Sequence, residues 1–396
     1  MTPGARVAAA IDCLDEIFAG APAERVLTRW ARANRYAGAK DRAAVRDHVF
    51  DALRRRRSLA ERMGAGTGRA AMIALIAEDG AEPAALLGAD RYAPAPLSAE
   101  ERARLAESPA LPPEVAADVP EAVASALSES LGAGWLEVMQ LLRTRATLDL
   151  RVNTLRSDMV TALELLQADG VEVTPQSLSP TALRVTAGAR RLRAGGAYQS
   201  GAVEIMDVAS QAVADVALAR PGEIVLDFCA GGGGKALALA AAMDGEGRLI
   251  AHDADPGRMR DLPARADRAG ARIEVMTPDA LAAQPVTADL VFIDAPCSGS
   301  GAWRRQPDSK WRLTLGDLAQ YANQQDQILD AAIGHLAPHG RLIYATCSLF
   351  HLENEERAEA FLARQSAFRQ TKVRRISPLD GGDGFFVTEF RRVSAT

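Results

Sequence analysis

From Val7 onward the apolar positions Val7, Ala10, Ile11, Leu14, Ile17 and Phe18 recur at three- and four-residue intervals, the period of a helix with one face on a core. Val26, Leu27 and Trp30 begin a second amphipathic stretch, and a third runs from about Lys40 to Met63. The pattern predicts an all-helical N-terminal domain over residues 1–70. Residues 90–120, with APAPLSAEE and SPALPPEV, are rich in Pro, Ala and Glu and predict a connecting segment with short helices, so a helical linker region is placed at 71–145.

The pattern then changes. LDLRVNTLRS reads as a short strand ending in a turn, followed by a helix over about 160–167 and a strand over 171–174, a small α/β subdomain assigned to residues 146–200. After Gly201, the apolar segments EIVLDF, RLIAHD, IEVMTP, DLVFID and RLIYAT alternate with helical stretches. Such alternation specifies a mostly parallel sheet covered by helices, an α/β domain over residues 201–396.

A chain of 396 residues with 48% apolar content buries more than one core. No apolar run approaches the roughly 18 residues of a membrane span, and acids interrupt the opening MTPGARVAAAIDCLDEIF where a signal peptide keeps an apolar stretch. A cytoplasmic protein without a membrane partner, and a monomer, is expected. Cys13, Cys229, Cys297 and Cys347 are too few for a disulfide framework and lack the spacing of a zinc site, so reduced thiols and no metal are expected. Net charge is −5, but residues 1–70 hold 14 Lys or Arg against 8 Asp or Glu, so one end is basic and the rest acidic. The run Arg54 to Arg57 is either a solvated helix end or a polyanion-binding surface.

The strand at 224–228 runs directly into Cys229, Ala230, Gly231, Gly232, Gly233, Gly234 and Lys235 and then into an Ala/Leu helix. A strand, glycine turn and helix in that order make a nucleotide-cofactor site, because the backbone must turn sharply and approach the ligand without Cβ atoms in the way. It is not a phosphate-binding Walker loop, which needs Gly at 229 and Ser or Thr at 236, where this chain has Cys229 and Ala236. Asp253 closes the next strand, where an acid accepts hydrogen bonds from ribose hydroxyls. Asp279 follows the third strand, near the expected position of an adenine. Together they favour an adenosyl ligand; taken singly, each acid could instead cap a helix.

Two further strands end in Asp294-Ala-Pro-Cys297-Ser-Gly and in Tyr344-Ala-Thr-Cys347-Ser. Ligands of open α/β sheets bind outside the carboxyl ends of the strands, so both thiols are expected to face one cleft. Cys13 and the side chain of Cys229 read as packing.

Several long segments carry a resemblance. ADLVFIDAPCSGSGAWRRQPDSKW, RLIYATCSLFHLENEE and DGFFVTEFRR resemble the Sun-type family of bacterial ribosomal RNA cytosine-C5 methyltransferases. RVNTLR at Arg151 resembles the start of that family's RNA-binding subdomain, and AKDRAAVRDHVFDALRRRRSLAERMG resembles its NusB-like helical domain. Only residues 71–120 lack a match. The resemblance implies a Rossmann-like class I methyltransferase domain, S-adenosylmethionine as cofactor, and an RNA partner. Ribosomal RNA of the small subunit is the expected substrate, with transfer RNA as the alternative.

By the family's pattern Cys347 is the attacking thiolate, Cys297 assists release of the methylated base, and Asp294 hydrogen-bonds the pyrimidine. The cofactor residues fall on Cys229 to Lys235, Asp253, Asp279 and Asp294. Two departures stand out: the usual Cys-Ala-Ala-Pro-Gly-Gly-Lys-Thr reads Cys-Ala-Gly-Gly-Gly-Gly-Lys-Ala, and the usual Gln before Asp207 is Met206. The freer loop predicts a loss of cofactor affinity of about 1 kcal/mol.

Arg304, Arg305 and Lys310, beside Trp303 and Trp311, combine cations with stacking surfaces and read as an RNA contact on the thiol edge of the sheet. Two rivals remain from other classes. One is a non-catalytic RNA-binding assembly factor; the other, a nicotinamide oxidoreductase, leaves the paired cysteines unexplained.

Overall fold

The computed structural model describes residues 1–107 and 110–393, so the first two residues of SPALPPEV lie outside the described residues. It divides into two compact units, Met1–Arg145 with Trp303–Thr314, and Ala146–Ala302 with Leu315–Thr396.

The first unit is helical: α1 (Pro3–Phe18), α2 (Ala23–Ala33), α3 (Ala39–Arg54), α4 (Arg56–Met63) and α5 (Gly68–Glu78), followed by shorter helices. Thr2 caps α1 by accepting from the Ala5 amide, and Pro3 at the first turn gives up no hydrogen bond there. The face carrying Val7, Ala10, Leu14 and Ile17 is buried, as its spacing predicts. The third amphipathic stretch breaks at Arg55 into α3 and α4. Gly68 lets α5 cross α1 closely: a Cβ there would lie 2.5 Å from the Ile11 carbonyl oxygen.

The run Arg54 to Arg57 is neither a solvated helix end nor an open polyanion surface. Arg54 Nε donates to the Arg304 carbonyl at 2.8 Å and its Nη1 to Asp51 at 2.6 Å. Arg55 pairs with Glu78 and Asp79, Arg56 lies 4.4 Å over the Phe18 ring, and Arg57 Nη1 donates to the Val119 carbonyl at 2.8 Å. Loop carbonyls inside a folded unit need donors, and a guanidinium with five N–H groups on a long apolar stem supplies them.

Residues 303–314 also overturn their sequence reading. They leave the sheet-bearing unit and pack into the helical one, where Trp303, Arg304 and Lys310 are buried. Trp311 Nε1 donates to the Leu53 carbonyl at 2.6 Å, and its ring packs on the helical core. Burial lowers the Lys310 ammonium to about 8, and the group lies 4.8 Å from the Trp311 ring. Of the four cations in this stretch, Arg304 and Lys310 are buried, and Arg305 and Arg312 are exposed. Aromatic rings beside cations look alike in sequence whether they grip RNA or anchor a docked segment. Trp303→Ala is therefore expected to cost about 3–5 kcal/mol of stability in denaturant unfolding, as truncation of a buried Trp does. Unchanged unfolding with weakened RNA binding would restore the contact reading.

The second unit holds two sheets. The smaller is antiparallel, in the order β2 (Glu172–Pro175), β3 (Ala182–Ala187), β1 (Asp149–Val152), β4 (Val203–Ile205), with the helix Met159–Ala168. Asn153, in RVNTLR, ties this sheet to the domain that follows by donating to the Gly201 and Ala269 carbonyls, both at 2.8 Å. Arg151 is buried, and burial lowers it to about 10.

The larger sheet adds β5 (Ile224–Asp227), β6 (Arg248–His252), β7 (Glu274–Met276), β8 (Ala288–Asp294), β9 (Leu336–Thr346), β10 (Phe368–Ile376) and β11 (Phe385–Arg392), in the order β10-β11-β9-β8-β5-β6-β7. Strands β9, β8, β5, β6 and β7 are parallel, and β11 runs antiparallel to both β9 and β10. Chain order reverses between β5 and β8, which opens a crevice at their carboxyl ends. Among the described residues no helix is long and apolar enough to cross a membrane.

Candidate active site

The crevice is built from the turn after β5 and the turns after β8 and β9. Leu226 and Asp227 on β5 are buried on both faces, and the chain leaves the strand through Phe228, whose amide donates to the Phe292 carbonyl at 2.8 Å. Gly231 and Gly233 then adopt left-handed backbone at φ +52° and +78°, and helix Gly234–Ala242 begins. Gly231 takes the place of the family's usual alanine, which would meet a cost of about 1–2 kcal/mol in that conformation.

At Gly233 a Cβ would lie 2.2 Å from Leu262 Cδ1. Gly233→Ala is expected to combine backbone strain with this clash and to weaken S-adenosylmethionine binding about tenfold or more in calorimetry. Wild-type affinity would show that the loop does not hold the cofactor. The second departure has a packing explanation, for Met206 is buried against Ala214 and against Ala238 of the helix after the loop.

Asp253, at the end of β6, is 2% exposed and accepts from the Gly231 amide at 2.9 Å, the Asp255 amide at 3.0 Å and Arg258 Nη1 at 3.0 Å. It caps no helix: Asp255 caps the turn that follows. Thr277 caps helix Pro278–Ala283, and Asp279 is exposed in its first turn. Asp253 is thus bonded to the glycine loop, whereas Asp279 shares no hydrogen bond with the other site residues among those described.

Asp294 ends β8. Lys235 Nζ donates to its Oδ2 at 2.7 Å and lies 5.0 Å over the Phe385 ring. Burial pushes the Lys235 ammonium down, but Asp294, with Cys347 and Asp227 behind it, more than reverses that and holds it above its ordinary value. Asp227, beneath the loop, is raised by burial to about 8.

The two thiols come together. Cys297 Sγ and Cys347 Sγ lie 3.5 Å apart, and neither cysteine is in a disulfide. Both are half-buried at the open edge, whereas Cys13 is buried in the helical core, where burial raises its thiol to about 12. Cys229 is raised well above the ordinary thiol value by burial. The hydrogen bond to Cys347, burial and the neighbouring Cys347 and Glu353 push the Cys297 thiol well above the ordinary thiol value.

Sequence reasoning missed the groups behind the thiols. Glu353, Asn354, Gln325, Ser298 and Ser348 are all buried around the two turns. The signal was present in RLIYATCSLFHLENEE, whose acid and amide follow Cys347 too closely for a plain surface loop.

An open sheet whose switch point carries a glycine turn, with an acid at the end of the neighbouring strand, is a Rossmann-like methyltransferase domain. The family described as "16S rRNA methyltransferase RsmB/F" matches residues 216–391, and a "Methyltr_RsmF/B-like, ferredoxin-like domain" matches residues 119–190. Ribosomal RNA small subunit methyltransferase B of Xylella fastidiosa (strain 9a5c) is 36% identical over 280 residues, which cover 66% of this chain and 66% of that protein. The match thus spans just under two thirds of the relative's length. A solved methyltransferase homolog protein from Pyrococcus horikoshii shares the fold at 22% identity and TM-score 0.63, covering 71% of this chain and 98% of its own. NSun6 from Pyrococcus horikoshii, solved with SFG, does so at 18% identity and TM-score 0.63, covering 71% and 100%. The chain belongs to the RsmB/F, or Sun-type, family of methyltransferases. The cofactor of this family is S-adenosylmethionine, and the glycine turn with Asp253 fits an adenosyl group.

Proposed function

We propose that this protein methylates C5 of a cytosine in small-subunit ribosomal RNA, as a cytoplasmic monomer, with S-adenosylmethionine as methyl donor. The observation that carries the reading is the pair of thiols 3.5 Å apart at the carboxyl ends of β8 and β9, beside the Lys235–Asp294 ion pair.

C5 of cytosine is a poor nucleophile until a group adds at C6 and makes the ring an enamine, and a thiolate does this. Cys347, in the Thr-Cys-Ser turn that the family's pattern marks as the nucleophile, is the group assigned to attack; Cys297, whose thiol is pushed well above its ordinary value, is assigned to proton transfer. The Cys347 sulfur forms a bond to C6 with its own electron pair, the ring's C5=C6 pair takes the methyl group, and Asp294 stabilises the ring as N3 becomes protonated. A general base then takes the C5 proton and N3 gives up the proton it gained, so the C5–H pair re-forms the C5=C6 double bond, the C6–S pair leaves with sulfur and the Cys347 thiolate is regenerated. S-adenosylmethionine supplies the methyl group when bound in the turn of Cys229 to Lys235 with Asp253 and Asp279.

Bisulfite sequencing of ribosomal RNA from a strain lacking this protein tests the assignment. The expected result is one small-subunit cytosine that loses its protection. A lost signal in transfer RNA would move the substrate, and no lost signal in any RNA, together with no calorimetric binding of S-adenosylmethionine, would leave a non-catalytic RNA-binding assembly factor.

A further inference from the structure

We propose that Glu353 is a positioning residue of the thiol pair, a single buried carboxylate to which the turns after β8 and β9 are both tied, so that Cys297 and Cys347 are held as one unit. The inference rests on reading those cysteines as the reaction centre.

Glu353 is fully buried, and among the described residues each group hydrogen-bonded to its side chain is a donor. Oε1 accepts from the Ser298 amide at 2.8 Å and Gln325 Nε2 at 3.1 Å. Oε2 accepts from Ser298 Oγ at 2.5 Å and from Ser348 Oγ. Ser298 directly follows Cys297, and Ser348 directly follows Cys347. The same Gln325 amide donates to the Pro296 carbonyl at 2.9 Å, so the first turn is gripped on both sides of its cysteine. Asn354 does the same for the second, accepting from Thr346 Oγ1 and donating to the Ser348 carbonyl at 3.0 Å. The two turns are also joined directly, by the Gly301 amide on the Cys347 carbonyl at 2.9 Å and the Leu349 amide on Ser300 Oγ at 2.8 Å.

Burying a carboxylate without a cation is costly unless donors surround it. Here four do, and no Lys or Arg pairs with it among the described residues. A packed apolar side chain would fill the space at lower cost, but it could not join two turns that lie about fifty residues apart in the chain. The charge has a second effect, since it faces Cys297 together with the Cys347 thiol and the Tyr344 hydroxyl, and it favours the protonated form of Cys297.

The two effects separate by substitution. Glu353→Ala removes the tie, whereas Glu353→Gln removes the charge but leaves an amide to which the serine hydroxyls can turn and rebond. In the RNA-free protein, amide hydrogen exchange of Glu353→Ala should quicken about tenfold or more in residues 296–300 and 346–350 together, with residues 229–235 and S-adenosylmethionine affinity unchanged. Its kcat should fall about 100-fold, as a misplacement near 1 Å costs, with KM for RNA within about threefold of wild type. Glu353→Gln should keep the exchange protection, but alkylation of Cys297 by iodoacetamide, resolved by peptide mass, should reach its midpoint at lower pH.

If Glu353→Ala does not fold, Ser298→Ala and Ser348→Ala serve in its place, and each should loosen the other cysteine's turn as well as its own. A folded Glu353→Ala with wild-type exchange in either turn, or serine variants that loosen only their own turn, would overturn the proposal. Exchange and alkylation need no turnover, so a wild-type protein that methylates no RNA would defeat the proposed function and leave this inference to be judged on its own measurements.

Discussion

Cys347→Ala is expected to abolish methyl transfer, lowering the rate on the order of 10⁴-fold or more, the scale on which deletion of a covalent nucleophile acts. S-adenosylmethionine binding should stay nearly intact. The sulfur lies at the end of β9 against Cys297, whereas the groups fitted to the adenosyl moiety lie on the turn after β5 and at the end of β6. The variant should also fold, because Cys347 is half-buried and the surrounding turn is held by its neighbours Thr346 and Ser348 and not by the thiol. Calorimetry with the cofactor and single-turnover methylation of RNA, run on the same preparation, check both halves. Wild-type turnover would sink the assignment of Cys347, and lost cofactor binding would mean that the thiol belongs to the adenosyl site.

The parallel strands and the crevice were legible in the sequence because their evidence is local. EIVLDF, RLIAHD, IEVMTP, DLVFID and RLIYAT are apolar runs that end in glycines, acids or cysteines, and strand direction places those ends on one edge. The antiparallel strand β10 escaped notice for a physical reason. It is an edge strand whose residues Arg369 to Arg374 are exposed, and its charges replace the alternation by which strands are recognised while guarding the edge against pairing with another chain.

Docking escaped for a different reason. Whether Arg54 meets solvent or the Arg304 carbonyl is decided by a residue 250 positions away, and Trp311 meets Leu53 across 258. Periodicity cannot report such partners. Glu353 lies between these cases. Its neighbour Cys347 drew attention to the segment, but the side chain acts through Ser298 and Gln325, which arrive from other elements.

The difference between the two thiols yields the sharpest test of the proposed chemistry. If Cys347 adds to C6 before the methyl group moves, the adduct collapses only after the C5 proton has left, and Cys297 is the half-buried thiol 3.5 Å away that can serve that step. Its pKa, raised by the hydrogen bond to Cys347, by burial and by neighbouring charge, suits a group that keeps its proton until Cys347 has become bonded to carbon. Bonding Cys347 to carbon removes its ionisable thiol and with it the leading cause of that shift, so that Cys297 can then lose its own proton and accept the one from C5. Cys297→Ala should therefore attack RNA and methylate it once but release it slowly, so that a protein–RNA adduct accumulates and survives denaturing electrophoresis. Cys347→Ala should form no adduct, and the double variant should behave like Cys347→Ala, because the bond to C6 is then never made. An adduct trapped by Cys347→Ala and not by Cys297→Ala would exchange the roles and make Cys297 the nucleophile. No adduct in either variant, with turnover retained in both, would remove covalent catalysis and leave the thiol pair without a chemical step.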